Sequence, residues 1–126
     1  MTPEEFGRLF VSAFSTQDAA TLAGLLSDDA EVVSLTGAWA EDRTEARLIF
    51  EQEFAGTLTQ AKLVTGKTRL RPIGPGGAIL HQRFVVIGAR DAQGNELPRA
   101  SAVLTAVLLA RADGWRAVSV TFSALA

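Results

Sequence analysis

The chain has a single histidine, His81, and two positions on is Arg83, a spacing that puts both side chains on one face of a strand. Such a pair could hold a carboxylate or a phenolate. It could also run acid/base chemistry, with the imidazole moving a proton and the guanidinium steadying negative charge. Either role needs the pair to face an apolar cavity between helices and sheet, and the periodicity does not say which face that is. The chain has no cysteine and no tyrosine, so thiolate nucleophiles, disulfides and phenolic oxyanion donors are excluded. One histidine and no cysteine leave a metal only carboxylates, so no metal site is expected. No dinucleotide fingerprint is present, and no cofactor is expected. The acids beyond residue 55, Asp91, Glu96 and Asp113, fall in loops or turns. Carboxylates could therefore enter a site only as Asp18, Asp28, Asp29 or Glu31, of which the first three read more simply as helix-cap or turn residues. The remaining candidate lining is Trp39, Phe50, Phe54, Trp115, Ser119 and Thr121. Each aromatic reads equally as core, and the two hydroxyls suggest either a cavity or close packing against the first helix.

Helices come first among the elements that must position these groups. Thr2-Pro3-Glu4-Glu5 has the pattern of a capping box, and Phe6, Leu9, Phe10, Ala13 and Phe14 follow at helical spacing to about Ser15. Asp18 caps a second short helix with Leu22, Leu25 and Leu26 on its buried stripe, stopped by Ser27-Asp28-Asp29. A short strand is expected from Glu31 to Thr36. Asp42 with Glu45 opens a third helix carrying Ala46, Ile49, Phe50 and Phe54 on one side, with Gly56 placed to end it in a left-handed conformation. Only strand signals follow: about 62–71, about 78–89 after a turn over 72–77, and a hairpin from Ser101 to Leu125 around Ala112-Asp113-Gly114. The alternation of Lys67, Arg69 and Arg71 is the usual protection of a sheet edge.

Composition restricts the classes of function. At 126 residues, 48% hydrophobic and 21% charged, the chain reads as one globular domain over 1–126. No signal peptide is read at the N-terminus, and the apolar runs fall well short of the roughly 20 residues of a membrane helix, so the expectation is a cytoplasmic protein without membrane contact. The net charge of -2 conceals an asymmetry. Residues 1–55 hold 11 of the 14 acids, whereas residues 56–126 hold nine of the 12 bases. A basic sheet could attract an anion, but no aromatics interleave the bases as a stacking platform would need, and no nucleic acid is expected.

The order helix, helix, short strand, helix and then a meander of long strands resembles the nuclear-transport-factor-2-like superfamily. FVSAFSTQDAATLAGLLSDDAEVV is similar to that family's opening, and LLARADGWRAVSVTFS to its closing hairpin. Through AWAEDRTEARLIFEQEFAG and AILHQRFVVIGARDAQG the chain is most similar to the SgcJ/EcaC group of SnoaL-like proteins. The resemblance implies an α+β cone, with N-terminal helices packed on a strongly curved, mainly antiparallel sheet that encloses a pocket. The chain departs from the group in having Asp42 where a glycine is common before Arg43, and Phe50 where a histidine is common. It also lacks the tyrosine of the superfamily's steroid isomerases, and its strands lack the Asp-Arg-Asp set of the epoxide hydrolases.

The expected function is binding of a small apolar or aromatic molecule, neutral or anionic, between helices and sheet. The alternatives are a cyclase, isomerase or dehydratase using His81 as acid or base beside Arg83, and a dimerisation module without ligand. A homodimer is expected as well, because both faces of the hairpin are apolar and helices can cover only one. Plain alternation puts Val118, Val120 and Phe122 at its centre, on the outer sheet face.

Overall fold

The structure is a computed structural model, and it describes residues 1–124. A 3-10 turn over Pro3–Glu5 leads into α1 (Phe6–Ser15). The Glu5 carboxylate accepts the Thr2 N–H at 2.8 Å and the Thr2 hydroxyl at 3.1 Å, which holds its pKa below the usual carboxylate range. In α2 (Ala19–Gly24) the Asp18 carboxylate takes the Thr21 hydroxyl at 2.6 Å and the Thr21 N–H at 3.0 Å, and its pKa is lowered for the same reason. Asp42 caps α3 (Arg43–Ala55) by accepting the Glu45 N–H at 2.8 Å. Gly56 ends that helix at φ -122° and ψ -119°, a backbone shape suited to glycine but not the left-handed one expected.

Six strands form one sheet in the order β2-β1-β6-β5-β4-β3. They are β1 (Leu26–Val33), β2 (Trp39–Ala40), β3 (Lys62–Ile73), β4 (Gly77–Ile87), β5 (Ala100–Arg111) and β6 (Gly114–Ala124). Every pairing is antiparallel except β1 with β6. Several boundaries differ from the sequence reading: α2 ends at Gly24 before Leu25 and Leu26, and β1 ends at Val33 and not at Thr36. Ser27-Asp28-Asp29 belongs to β1 instead of stopping a helix, and β3 continues through Pro72, which pairs with Ala78. Proline is tolerated there because β3 is an edge strand. Leu125, expected at the end of the hairpin, lies outside the described residues. No helix among those described is long and apolar enough to cross a membrane.

The inner face of the sheet carries Leu80, Phe84 and Val86 from β4, Leu104 and Leu108 from β5, and Ala117, Val120 and Phe122 from β6, all buried. All seven phenylalanines are buried with them. Phe10 is central: its ring lies 5.6 Å from Phe122, 6.1 Å from Phe6, 6.2 Å from Phe14 and 6.5 Å from Phe84. Phe14 in turn meets Phe54 edge-on at 5.2 Å. Contacts of this kind add about 0.5–1.5 kcal/mol each beyond area burial. The space under the helices is therefore filled with rings.

A bulge corrects the expected faces of β6. Val107 pairs with Ser119 but Leu108 pairs with Ala117, so Val118 is left without a cross-strand partner and the alternation slips by one. Ala117, Val120 and Phe122 consequently point inward, while Ser119 and Thr121 share the outer face. Val120 and Phe122 thus belong to the core and not to a dimer centre.

Candidate functional site

His81 and Arg83 lie in the outward phase of β4, the opposite phase from buried Leu80, Gln82 and Phe84. Both are exposed, and among the described residues the His81 ring has one hydrogen-bond partner, the Thr105 hydroxyl, 3.2 Å from Nδ1. They line shallow depressions with Lys67, Arg69 and Arg71, not the pocket expected between helices and sheet. In β4 the phase of Leu80, Gln82, Phe84 and Val86 takes the core side, and Ile79, Val85 and Ile87 share the outer phase with His81 and Arg83.

The other expected lining residues separate into two groups. Phe50 and Phe54 are core residues of α3. Trp39, Ser119 and Thr121 do come together, but on the outer face, where with Glu31, Val33 and Glu41 they line a depression of about 700 Å³. Trp39 is 76% exposed there. Trp115 is half-buried against the edge of the core. The acids are also dispersed: Asp18 caps α2, Asp28 pairs with Arg43, Asp29 accepts the Ser27 hydroxyl at 2.9 Å, and Glu31 stands on the outer face. Among the described residues no three of His, Asp and Glu converge as metal ligands would.

One cavity does lie between helices and sheet. It is a groove of about 610 Å³ between α1 and strands β3 and β4. Leu80 and Gln82 form its buried floor, Gly7, Val11 and Leu70 its walls, and Glu4, Arg8, Ser12, Thr65 and Thr68 its rim. Gly7 lets α1 approach the floor closely, since a Cβ there would sit 3.2 Å from Gln82 Oε1.

Gln82 is the polar centre of the groove and is only 3% exposed. Its Nε2 donates to the carbonyl oxygens of Arg83 at 3.0 Å and Gly66 at 3.1 Å, so the side chain is fixed in one orientation. An amide oxygen can accept two hydrogen bonds, and Gln82 Oε1 takes one among the described residues, from the Thr68 hydroxyl. The floor thus presents an apolar surface with one fixed acceptor, and an amide neither gives nor takes a proton near neutral pH. Sequence reasoning missed both residues. The available signals were a glycine inside an amphipathic helix and a glutamine in the otherwise apolar phase Leu80, Phe84, Val86.

A second buried polar side chain, Glu53 of α3, has its own partner. It takes the Thr36 hydroxyl at 2.6 Å and ties the helix to the turn between β1 and β2. That role is structural.

A family model described as the SnoaL-like domain matches residues 4–126. No curated protein matches the chain. Among solved structures it is similar to an uncharacterized protein with a cystatin-like fold from Caulobacter vibrioides, with TM-score 0.88, 18% identity, and coverage of 98% of this chain and 87% of that one. A candidate dehydratase from the NTF2-like family of Streptomyces avermitilis gives TM-score 0.77 at 18% identity, covering 98% and 95% of the two chains. A candidate calcium/calmodulin dependent protein kinase II association domain from Xanthomonas campestris gives 0.78 at 18% identity, covering 97% and 84%. Identities this low show the shared fold alone.

Proposed function

The chain belongs to the SnoaL-like domain family, with the nuclear-transport-factor-2-like fold, and from that premise we propose that it is a small-molecule-binding protein. The ligand of this reading is an apolar or aromatic body lying in the groove between α1 and β3–β4, with a hydroxyl or N–H donor directed at Gln82 Oε1. The observation that carries it is the buried, immobilised amide in an apolar floor of about 610 Å³, a volume suited to a small organic ligand. Binding is favoured over acid/base catalysis because the polar group on the floor is an amide, while His81 stands on the other side of the sheet. The test uses 2-naphthol as probe and amide NMR shifts as readout. Shifts are expected at Gly7, Val11, Leu70, Leu80 and Gln82, and they should vanish in Gly7→Leu, whose side chain fills the groove. Shifts centred on His81 and Arg83, or no saturable binding, would overturn the reading.

A second part of the proposal is a homodimer through the outer sheet face. Ile79, Val85, Val103, Val107 and Leu109 are only half-buried there, and no helix covers them. Apolar side chains left uncovered on an outer sheet face are a common mark of an interaction surface. The name of the Xanthomonas structure, an association domain, agrees with assembly on this fold. Sedimentation at micromolar concentration should give twice 13.4 kDa, and a single species of 13.4 kDa would refute the dimer.

A further inference from the structure

The largest register shift in the sheet lies between β1 and β6. β1 takes five steps, from Leu26 to Glu31, where β6 takes two, from Ala117 to Ser119, so residues 27–30 have no partner on β6. Beside this detour is a cleft of about 430 Å³, bounded by residues 26–29 of β1, the Arg43 side chain from the start of α3, and the end of the β5–β6 hairpin. It shares no residue with the groove beside α1.

Six charged side chains line the cleft, three of each sign. Two pairs are closed, Arg43 with Asp28 and Arg116 with Asp113, the latter at 3.3 Å. Arg111 and Asp29 are left over: among the described residues neither has an ion-pair partner, and they do not pair with each other. Each is backed by a fixed neighbour. Ser27, only 8% exposed, donates its hydroxyl to the Asp29 carboxylate at 2.9 Å. On the opposite wall Leu109 pairs with Arg116 and Arg111 pairs with Gly114, which sets Arg111 and Arg116 diagonally on one face of the hairpin. Arg116 Nη1 donates to the Trp115 carbonyl oxygen at 2.9 Å, so this guanidinium is held in place. Arg43 holds the detour itself, pairing with Asp28 and donating to the Leu26 carbonyl oxygen at 3.4 Å. The hairpin wall is thus positive and the β1 wall negative.

A bare anion entering the cleft gains Arg111 but is repelled by Asp29, and a bare cation meets the reverse. A molecule carrying one charge of each sign gains both, and the cleft, neutral as a whole, stays neutral. We infer that the cleft binds a small zwitterion of amino-acid type, with its carboxylate on Arg111 and Arg116 and its ammonium on Asp29. A guanidinium fork matches the two oxygens of a carboxylate, and an ammonium has three N–H donors for carboxylate acceptors. Walls fixed before the ligand arrives reduce the ordering that binding costs.

Amide NMR titration with glycine, β-alanine and γ-aminobutyrate, which hold carboxylate and ammonium at increasing separation, tests the inference. At least one of the three should shift the amides of residues 27–29 and 111–116 saturably. It should bind at least tenfold more tightly than acetate or methylammonium, which carry one of the charges each. The groove amides of Gly7, Leu80 and Gln82 should remain unshifted. Arg111→Gln and Asp29→Asn should each weaken binding of that amino acid at least tenfold; both positions are exposed, and circular dichroism checks that the variants are folded. Asp29→Asn should at the same time strengthen binding of acetate, because the repelling charge is gone. Acetate or methylammonium binding wild type as tightly as the amino acids would mean a site for a single charge and overturn the zwitterion. No saturable shift at the cleft from any of the three amino acids at tens of millimolar would overturn the site. Either failure leaves the groove reading standing, since the two sites have no residue in common.

Discussion

Phe50 stands where the resemblance drawn from the sequence leads one to expect a histidine, and its surroundings show what a histidine there would experience. It is 5% exposed and packs in the same cluster as Ala46 and Phe54. An imidazole in that place would lose hydration when charged, so burial would push its pKa in the folded chain below the usual value of about 6.5. Below the unfolded value the unfolded chain binds the proton more readily, and stability falls as pH drops through that range. Phe50→His is therefore expected to be less stable than wild type at pH 8 and clearly worse at pH 5, as judged by urea midpoints. Equal losses at both pH values would mean that the side chain reaches water and that the site is not core. The same reasoning explains why His81 misled the sequence reading: residue type advertised chemistry, while location depended on which phase of β4 faced the helices. Gln82, which carries the groove, advertised nothing beyond being polar in an apolar phase.

Among the elements, the helices were legible and the strand faces only partly so. Caps at Asp18 and Asp42 and the spacing of the phenylalanines follow from local rules, and α1 and α3 fall within a residue or two of where those rules place them. In β6 both phases are apolar or small, so the pattern Ala117-Val118-Ser119-Val120 contains no sign of a bulge. The slip is a tertiary effect, fixed by the Phe122 ring entering the cluster of Phe10, Phe14 and Phe84. It has a testable consequence. Deleting Val118 removes the unpaired residue and leaves every other side chain of β6 on its present face. Deleting Thr121 instead throws Phe122 outward and Thr121's neighbours out of phase. The first deletion should fold cooperatively with a small loss, and the second should lose at least the roughly 3 kcal/mol of a buried phenylalanine. Chemical denaturation of the two side by side decides; a collapse of the Val118 deletion alone would mean that the bulge, not the phase, holds β1 against β6.

At the scale of the whole molecule, the cone expected from the family resemblance is present, but its interior is not an empty pocket. The helices and the curved sheet enclose a space, and six of the seven phenylalanines meet ring to ring inside it. The groove of about 610 Å³ lies beside α1, outside that cluster of rings. Whether a member of this architecture binds within the cone or at its side is then a matter of side-chain volume and not of backbone shape. Phe10→Ala tests this, because Phe10 touches rings on α1, β4 and β6. Truncation of a buried phenylalanine costs about 3–5 kcal/mol, part of it for the cavity left behind. A dry cavity lined by Phe6, Phe14, Phe84 and Phe122 should accept a benzene-sized guest, as engineered apolar cavities do. A guest that binds only the folded state raises its stability, so millimolar benzene or indole is expected to lift the melting temperature of Phe10→Ala and leave that of wild type unchanged. If the variant gains nothing from either guest, the rings have collapsed into the space, and the family's pocket is not latent in this backbone.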